Sequence, residues 1–331
     1  MTDVAAMSTT SLGAVGLPAA IAPAAGTPAA GSTSHAADAG TLWRPSAPCT
    51  PRICMDATGP ARAVPLAGLR IVAVLLLLVV GCAAMPFGGR IPAGWVRRWC
   101  RSVVRAAGVR VRIAGPAAPE GGLLLVANHV SWLDIPLLAA VRPARMLAKS
   151  EIRGWPVAGW LTARSGALFI DRDRIRALPE TVARIADALR AGQAVTVFPE
   201  GSTWCGRAQG SFRRAAFQAA LDAGVPVQPV RLHYGLAGGG SGTAAAFVGD
   251  DSLLASVWRV VRARELVAEA EVMEPIVPGG RFDRRSLAEA AEASALPRER
   301  LVRVPRQQRA VPVTGTDQPV SPAPSREPLT A

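Results

Sequence analysis

Lysine is almost absent from this chain. Of 37 Lys+Arg residues only Lys149 is a lysine, so the formal charge of +13 is carried by arginine. An arginine and alanine excess of this kind partly reflects codon composition, and the charge alone points only loosely to anionic lipid, nucleic acid or a polyanionic cofactor. Aromatic residues make up 5% of the sequence and include one tyrosine. That leaves no stacking platform at motif spacing and argues against a nucleic-acid partner. The five cysteines, Cys49, Cys54, Cys82, Cys100 and Cys205, are scattered without a C-x-x-C pair, so neither a disulfide framework nor a structural zinc site is expected. Histidine is limited to His35, His129 and His233. His129 has no His, Cys or acidic triad at ligand spacing, and no metal is expected there. What the sequence does have is apolar mass: 50% of its 331 residues are hydrophobic and 18% charged. This is too apolar for a disordered protein and enough for about two domains, or one with tails.

Residues 1 to 65 are rich in Ala, Pro, Gly, Ser and Thr with Trp43 as their only aromatic, a composition that reads as a disordered tail. Met55 is a candidate alternative start. Residues 304 to 331 carry six prolines and no aromatic and read as a second disordered tail. Between them, Ile71 to Phe87 is an uninterrupted apolar run of 17 residues, at the short limit for a helix that crosses a bilayer. Arg70 precedes it, and Arg90, Arg97, Arg98, Arg101 and Arg105 follow. A membrane anchor is the favoured reading, with the downstream domain on the cytoplasmic side by the positive-inside rule. A lipoprotein-type signal ending at Val79-Val80-Gly81-Cys82 and a buried core helix are the competing readings. From Trp95 to Ala106 the apolar residues, including Trp99, Cys100 and Val103, share one side of a helical wheel and the arginines the other. This is the pattern of a helix lying in a membrane interface. Residues 66–107 are thus expected to be an anchor plus an interfacial helix on an anionic membrane surface.

After Val109, short apolar stretches alternate with helical periodicity. Strands are expected at 109–113, 123–127, 145–148, 167–170, 195–198, 227–232, 244–248 and 266–272, and helices at 155–163, 175–191, 212–223, 253–264 and 285–294. The alternation argues for an α/β domain, a mostly parallel sheet flanked by helices and preceded by the membrane-associated helical segment. In such sheets the site lies at the carboxyl ends of the strands.

His129 falls just past an apolar strand, in Asn128-His129-Val130-Ser131-Trp132-Leu133-Asp134. A carboxylate partner can fix the tautomer of such a histidine and support the charge it gains as a base. On a continuous helix, side chains five apart diverge by about 140°, so a His129–Asp134 dyad requires a turn. The plainer alternative is an Asp134 that caps the following helix beside a loop histidine. Three further clusters lie near strand ends: Phe169-Ile170-Asp171-Arg172, Phe198-Pro199-Glu200-Gly201-Ser202, and Val225-Pro226-Val227-Gln228-Pro229-Val230. The prolines of the last suit an edge or the first position of a strand, one that walls an apolar groove. Ser131 and Cys205 are nominal nucleophiles without a second histidine to activate them.

Together with Lys149-Ser150-Glu151-Ile152-Arg153-Gly154-Trp155-Pro156, these ordered blocks resemble those of the glycerolipid acyltransferases, the group that contains 1-acylglycerol-3-phosphate acyltransferase. The resemblance covers roughly residues 90–290 and makes 108–303 an acyltransferase domain. It implies transfer of a fatty acyl group from acyl-CoA or acyl-carrier protein, as co-substrate and not a bound cofactor, to the free hydroxyl of a lysophospholipid, with 1-acylglycerol-3-phosphate, giving phosphatidic acid, as the favoured acceptor. His129 would be the general base and Asp134 its orienting partner. Asn128, Lys149, Arg172, Glu200, Gly201 and Ser202 would meet the acceptor. The enzyme would work on the cytoplasmic face of the inner membrane. Where many relatives continue Glu-Gly-Thr-Arg-Ser, this chain has Glu200-Gly201-Ser202-Thr203-Trp204. The missing arginine leaves Arg207, Arg213 or Arg214 as substitutes and opens the acceptor to a lyso-ornithine lipid. A non-catalytic lipid-binding protein is the alternative from another class.

Overall fold

Leu123–Ala127 (β2), Leu-Leu-Leu-Val-Ala, is buried along its whole length, as a run with no polar alternation requires of a strand covered on both faces. It sits at the middle of a seven-stranded sheet of order β1-β8-β7-β2-β5-β3-β4. The other strands are Arg110–Ala114 (β1), Arg145–Lys149 (β3), Leu168–Ile170 (β4), Ala194–Val197 (β5), Val227–Leu236 (β7) and Leu266–Val272 (β8). Ala208–Gln209 (β6) pairs with Val302–Arg303 (β9) in a separate two-stranded sheet. Every neighbouring pair in the large sheet is parallel except β7 with β8. The computed structural model describes residues 47–55, 64–155, 158–171, 174–240, 242–280, 282–295 and 302–303, all within the unit Arg44–Ala331. Of the tails expected at 1–65 and 304–331, residues 1–46, 56–63 and 304–331 lie outside these residues, as does Arg172.

Two apolar layers flank the sheet. One packs Ala93–Ala106 (α3), Asp134–Val141 (α4) and Leu253–Arg262 (α8) against β1, β7 and β8, through Val104, Leu137, Leu138 and Val260. The other packs Leu178–Arg190 (α6), Ala215–Ala223 (α7) and Arg284–Ala295 (α9) through Ile185, Leu189, Phe217 and Leu287. Small residues at Ala216, Ala219 and Ala220 bring α7 close to its neighbours while Phe217 fills the space between them. The short helix Ala158–Arg164 (α5) links β3 to β4.

Ahead of the sheet, Val64–Ala84 (α2) runs on into a 3₁₀ turn, Met85–Arg90. Val64–Gly88 is long and apolar enough to cross a membrane, with mean hydropathy 2.6 and 6% of its most apolar window buried. Leu69, Leu76, Val79 and Val80 are exposed along it. Its other side is fastened to the domain. Arg70 Nη1 donates to the carbonyls of Val261 at 2.7 Å and Ala263 at 2.9 Å, which satisfies the carboxyl end of α8. Trp99 Nε1 donates to the Leu77 carbonyl at 3.0 Å, and a Cβ at Gly81 would overlap the Trp99 indole.

Four expectations from sequence need correction. The α3 stripe faces inward: Cys100, Val103 and Val104 are buried in the core and Trp99 faces α2, so Trp95 is the one exposed indole of the helix. Residues 244–248 are not a strand. A 3₁₀ turn, Thr243–Ala245, leads into a loop whose Ala244 and Ala246 carbonyls accept from the Arg259 guanidinium, while Phe247 N donates to Val130 O. Residues 47–55, assigned to the N-terminal tail, contain the short helix Pro51–Cys54 (α1) and the buried Cys49. Finally, β7 is interior and not an edge. Pro229 directs its carbonyl, and hence its missing N–H, toward the segment after β8, where the chain departs from the ladder and returns only as an isolated bridge between Val227 and Ile276.

Leu125 has no exposed surface at the centre of β2. Leu125→Ala is expected to cost about 2–5 kcal/mol of unfolding free energy, read by denaturant titration in detergent. Truncating the 81%-exposed Leu254 should change it by less than about 0.5 kcal/mol.

Candidate active site

The parallel run β2, β5, β3 and β4 places the carboxyl ends of four strands on one edge of the sheet. His129, Glu200, Lys149 and Asp171 follow those ends in turn. The chain leaves β2 through Asn128, whose amide is committed to the neighbouring strand: Nδ2 donates to Leu232 O at 2.9 Å and Oδ1 accepts from Leu232 N at 2.8 Å. A turn follows, closed by Asp134 N on Ser131 O at 3.1 Å, and α4 begins at Asp134. That turn brings the two side chains together. His129 Nδ1 lies 2.8 Å from Asp134 Oδ2.

Asp134 is fully buried. Its Oδ2 also accepts from Val130 N at 2.7 Å and Ser131 N at 2.8 Å, and its Oδ1 from the Tyr234 hydroxyl at 2.6 Å. A group that receives so many N–H and O–H donors is an acceptor-only carboxylate. This assigns the proton between it and the imidazole to Nδ1 and leaves Nε2 as the lone-pair nitrogen. Burial, and then the Asp134 charge, hold the Tyr234 phenol well above its ordinary pKa, so it stays a donor.

Three further contacts hold His129. Its ring stacks on Phe198 with centroids 3.9 Å apart and an interplanar angle of 11°. Its carbonyl accepts from Trp204 N at 2.7 Å. Its N–H donates to Glu200 Oε2 at 2.7 Å, and the other Glu200 oxygen accepts from Gly210 N at 3.0 Å. Burial pushes the Glu200 pKa well above the carboxylate range, further than those two hydrogen bonds lower it. Gly201 supports this turn with φ 78°, a left-handed conformation that glycine adopts without strain.

A cavity of about 530 Å³ opens beside the imidazole. Asn128, His129 and Glu200 are in its wall, with Asp134 behind them; Lys149, Gly201 and Ser202 are not. Lys149 ends β3, two strands from β2. Ser131 Oγ accepts from Leu133 N at 3.2 Å, the role of a turn hydroxyl. Of the arginines considered as substitutes, Arg207, Arg213 and Arg214, none lines the cavity; its arginines are Arg112 on β1 and Arg231 on β7. Each is paired: Arg112 with Glu269 at 3.0 Å and Arg231 with Glu271 at 3.3 Å. With His233, these residues form a charged face on β1, β8 and β7 whose opposite face is core. The sequence carries the signal as period-two alternation, Arg112 after Arg110, Glu271 after Glu269 and His233 after Arg231. Tyr234 was missed because nothing local marks a core tyrosine as a partner for a residue of another strand's loop.

The family model described as Acyltransferase matches residues 108–233. The chain is 39% identical over 214 residues to the lyso-ornithine lipid O-acyltransferase of Pseudomonas aeruginosa, which covers 64% of this chain and 79% of the relative. It is 35% identical over 196 residues to the 1-acyl-sn-glycerol-3-phosphate acyltransferase of Neisseria meningitidis serogroup B, covering 59% and 76%. Among solved structures it is similar to that of the 1-acyl-sn-glycerophosphate acyltransferase PlsC of Thermotoga maritima, with TM-score 0.53 and 20% identity over 71% of this chain and 93% of the other; at that identity the likeness speaks for the fold. Relatives matched over more than two thirds of their own length, at identities well above 30%, decide the lineage: this chain belongs to the acyltransferase family.

Proposed function

We propose that the protein transfers a fatty acyl group from an acyl thioester, acyl-CoA or acyl-carrier protein, to the free hydroxyl of a lysolipid. The observation that carries this reading is the His129–Asp134 pair in the cavity wall, with Nε2 left as the free base. Nε2 takes the hydroxyl proton as the oxygen attacks the thioester carbonyl. The tetrahedral intermediate expels the thiolate, which recovers that proton from the imidazolium, so no acyl-enzyme is formed. The buried Asp134 carboxylate stabilises the transient positive charge. Lys149, at the end of β3, fits a more distant part of the acceptor or donor. Asn128 and Glu200 act through the loop that they hold.

The acceptor head group meets Arg112 and Arg231, each already paired with a glutamate. Guanidinium groups alone would favour the phosphate of 1-acylglycerol-3-phosphate. A wall that carries both signs instead complements a head group with both a carboxylate and an ammonium, as in a lyso-ornithine lipid, the substrate in the name of the 39%-identical relative. The absence of an arginine after Glu200-Gly201 favours the same acceptor. We place the reaction at a membrane surface, supported by the exposed apolar side of α2 and by Arg97, Arg98 and Arg105 on the outside of α3. Those arginines support the cytoplasmic face of the inner membrane by the positive-inside rule.

Three predictions follow from this chemistry. Thiol release from acyl-CoA in purified membranes should require a lysolipid and fall by about 10²–10⁴-fold in His129→Ala. Tyr234→Phe, which removes one donor to Asp134, should cost roughly tenfold in turnover; unchanged turnover in His129→Ala would exclude the dyad as the base. Offered a panel of lysolipids with one acyl-CoA, the enzyme should give more diacyl product with lyso-ornithine lipid than with lysophosphatidic acid by mass spectrometry, and Glu271→Gln should narrow that preference. The third concerns Glu200. The folded chain holds its proton more tightly than the unfolded chain does, so the stability it contributes is complete below the ordinary value of 4.5 and is lost as pH rises toward the raised pKa. Unfolding free energy should therefore decline over that window, and Glu200→Gln should flatten the decline.

A further inference from the structure

Three of the five cysteines converge away from the acyl-transfer chemistry. Cys49 precedes α1, Cys54 ends it, and Cys205 lies in the loop after β5; their Sγ atoms are all within 4.8 Å of one another. Cys49 and Cys205 are 4% and 5% exposed in the apolar core, while Cys54 is half-buried and leaves a way in. Spacing along the chain gave no hint of this, because the cluster joins a segment upstream of α2 to a loop in the middle of the α/β domain.

Three sulfurs this close in a largely apolar setting form a donor set for a soft cation, because thiolate ligands select ions such as zinc(II) and copper(I) over hard ones. An ion at about 2.3 Å from each sulfur needs sulfurs about 4 Å apart, so only a small contraction separates the observed cluster from a bound one. A disulfide would use only two of the three thiols.

We propose that Cys49, Cys54 and Cys205 bind one thiophilic d¹⁰ metal ion, zinc(II) or copper(I), as a three-thiolate site that ties residues 49–54 to the loop after β5. The ion displaces the thiol protons on binding. Its role is structural and bears on the cavity. Trp204, beside Cys205, holds the His129 carbonyl, and Gly206 and Ala208, just beyond, line the cavity wall. A metal here restrains the loop that frames the base without touching the reacting atoms. The site stands independently of the acyltransferase reading.

The test uses the full chain in detergent, stripped with chelator under reducing conditions and then offered zinc(II) or copper(I) alone. One ion per chain should be retained with at least one of the two metals, and the retained metal tells which source the site takes. The same metal should raise the thermal midpoint and protect Cys49, Cys54 and Cys205, but not Cys82, from alkylation mapped by peptide mass spectrometry. Cobalt(II) should give a thiolate-to-metal charge-transfer band. Cys54→Ser, at a half-exposed position that tolerates the change, should weaken binding by at least about tenfold, and Cys82→Ser should leave it unchanged. Retention of neither metal would overturn the proposal. So would equal binding in Cys54→Ser, or a disulfide within the cluster in chain isolated with its thiols blocked.

Discussion

The Asp134 carboxylate has no contact with solvent and accepts four hydrogen bonds, from the His129 ring, the N–H groups of Val130 and Ser131, and the Tyr234 hydroxyl. An ionised carboxylate taken out of water loses several kcal/mol of hydration, and these donors are what offset the loss. They come from different levels of structure. Two belong to the turn that Asp134 closes, one to the His129 ring, and one to a strand on the far side of the sheet's central pairing. Burying this charge therefore requires the β2 to β7 pairing, the turn and the imidazole orientation all at once. The two readings of Asp134 open in the sequence, helix start and dyad partner, are then not rivals: it begins α4 and binds His129 through the same turn.

The block after β5 completes the restraint. Glu200 takes the His129 N–H, Trp204 takes its carbonyl and Phe198 covers the ring face, while Asp134 fixes the ring edge. What remains free is Nε2. The resemblance implied that Glu200 and Gly201 shape the acceptor pocket; the geometry adds that Glu200 spends both oxygens on backbone N–H groups of two loops. An imidazole held on its ring edge, its ring face and both sides of its backbone would, in the proposed role of base, have little reorganisation left to do.

How legible each part was in the sequence depends on how local its physics is. β2 and β8 were read with their ends in place, because a central strand announces itself as a continuous apolar run and β8 as an alternating one. Of the two places the prolines suit, a strand's start holds for Pro226, just before β7, while the edge does not hold for Pro229: the proline rule is local, whereas the gap that accommodates Pro229 is made by residues 273–276 after β8. Residues 244–248 have strand-like composition, but their backbone partners include a guanidinium 13 and 15 positions onward and a loop carbonyl. His129 and Asp134 could be named from type and spacing. Tyr234, the Arg112–Glu269 pair and the cysteine cluster depend on which strands become neighbours, and topology is what short-range patterns carry least.

A lipid acceptor adds a requirement that the fold meets through α2. Were α2 a helix joined to the domain only by a linker, its apolar surface would be uncoupled from the cavity. Arg70 instead closes the carboxyl end of α8, and Trp99 joins α3 to the Leu77 carbonyl. The arginine in front of the apolar run, which in sequence stood only as a charge flanking it, has its guanidinium turned to protein carbonyls. Breaking those contacts would leave the end of α8 unsatisfied in a half-buried setting, a cost of about 1–3 kcal/mol for each lost partner. The side of α2 away from the domain stays apolar and exposed, and the side toward it is continuous with the core that carries β1, β7 and β8. A membrane proposed to meet α2 would thus engage a surface packed on the same core as the strands that carry Arg112, Arg231 and Tyr234.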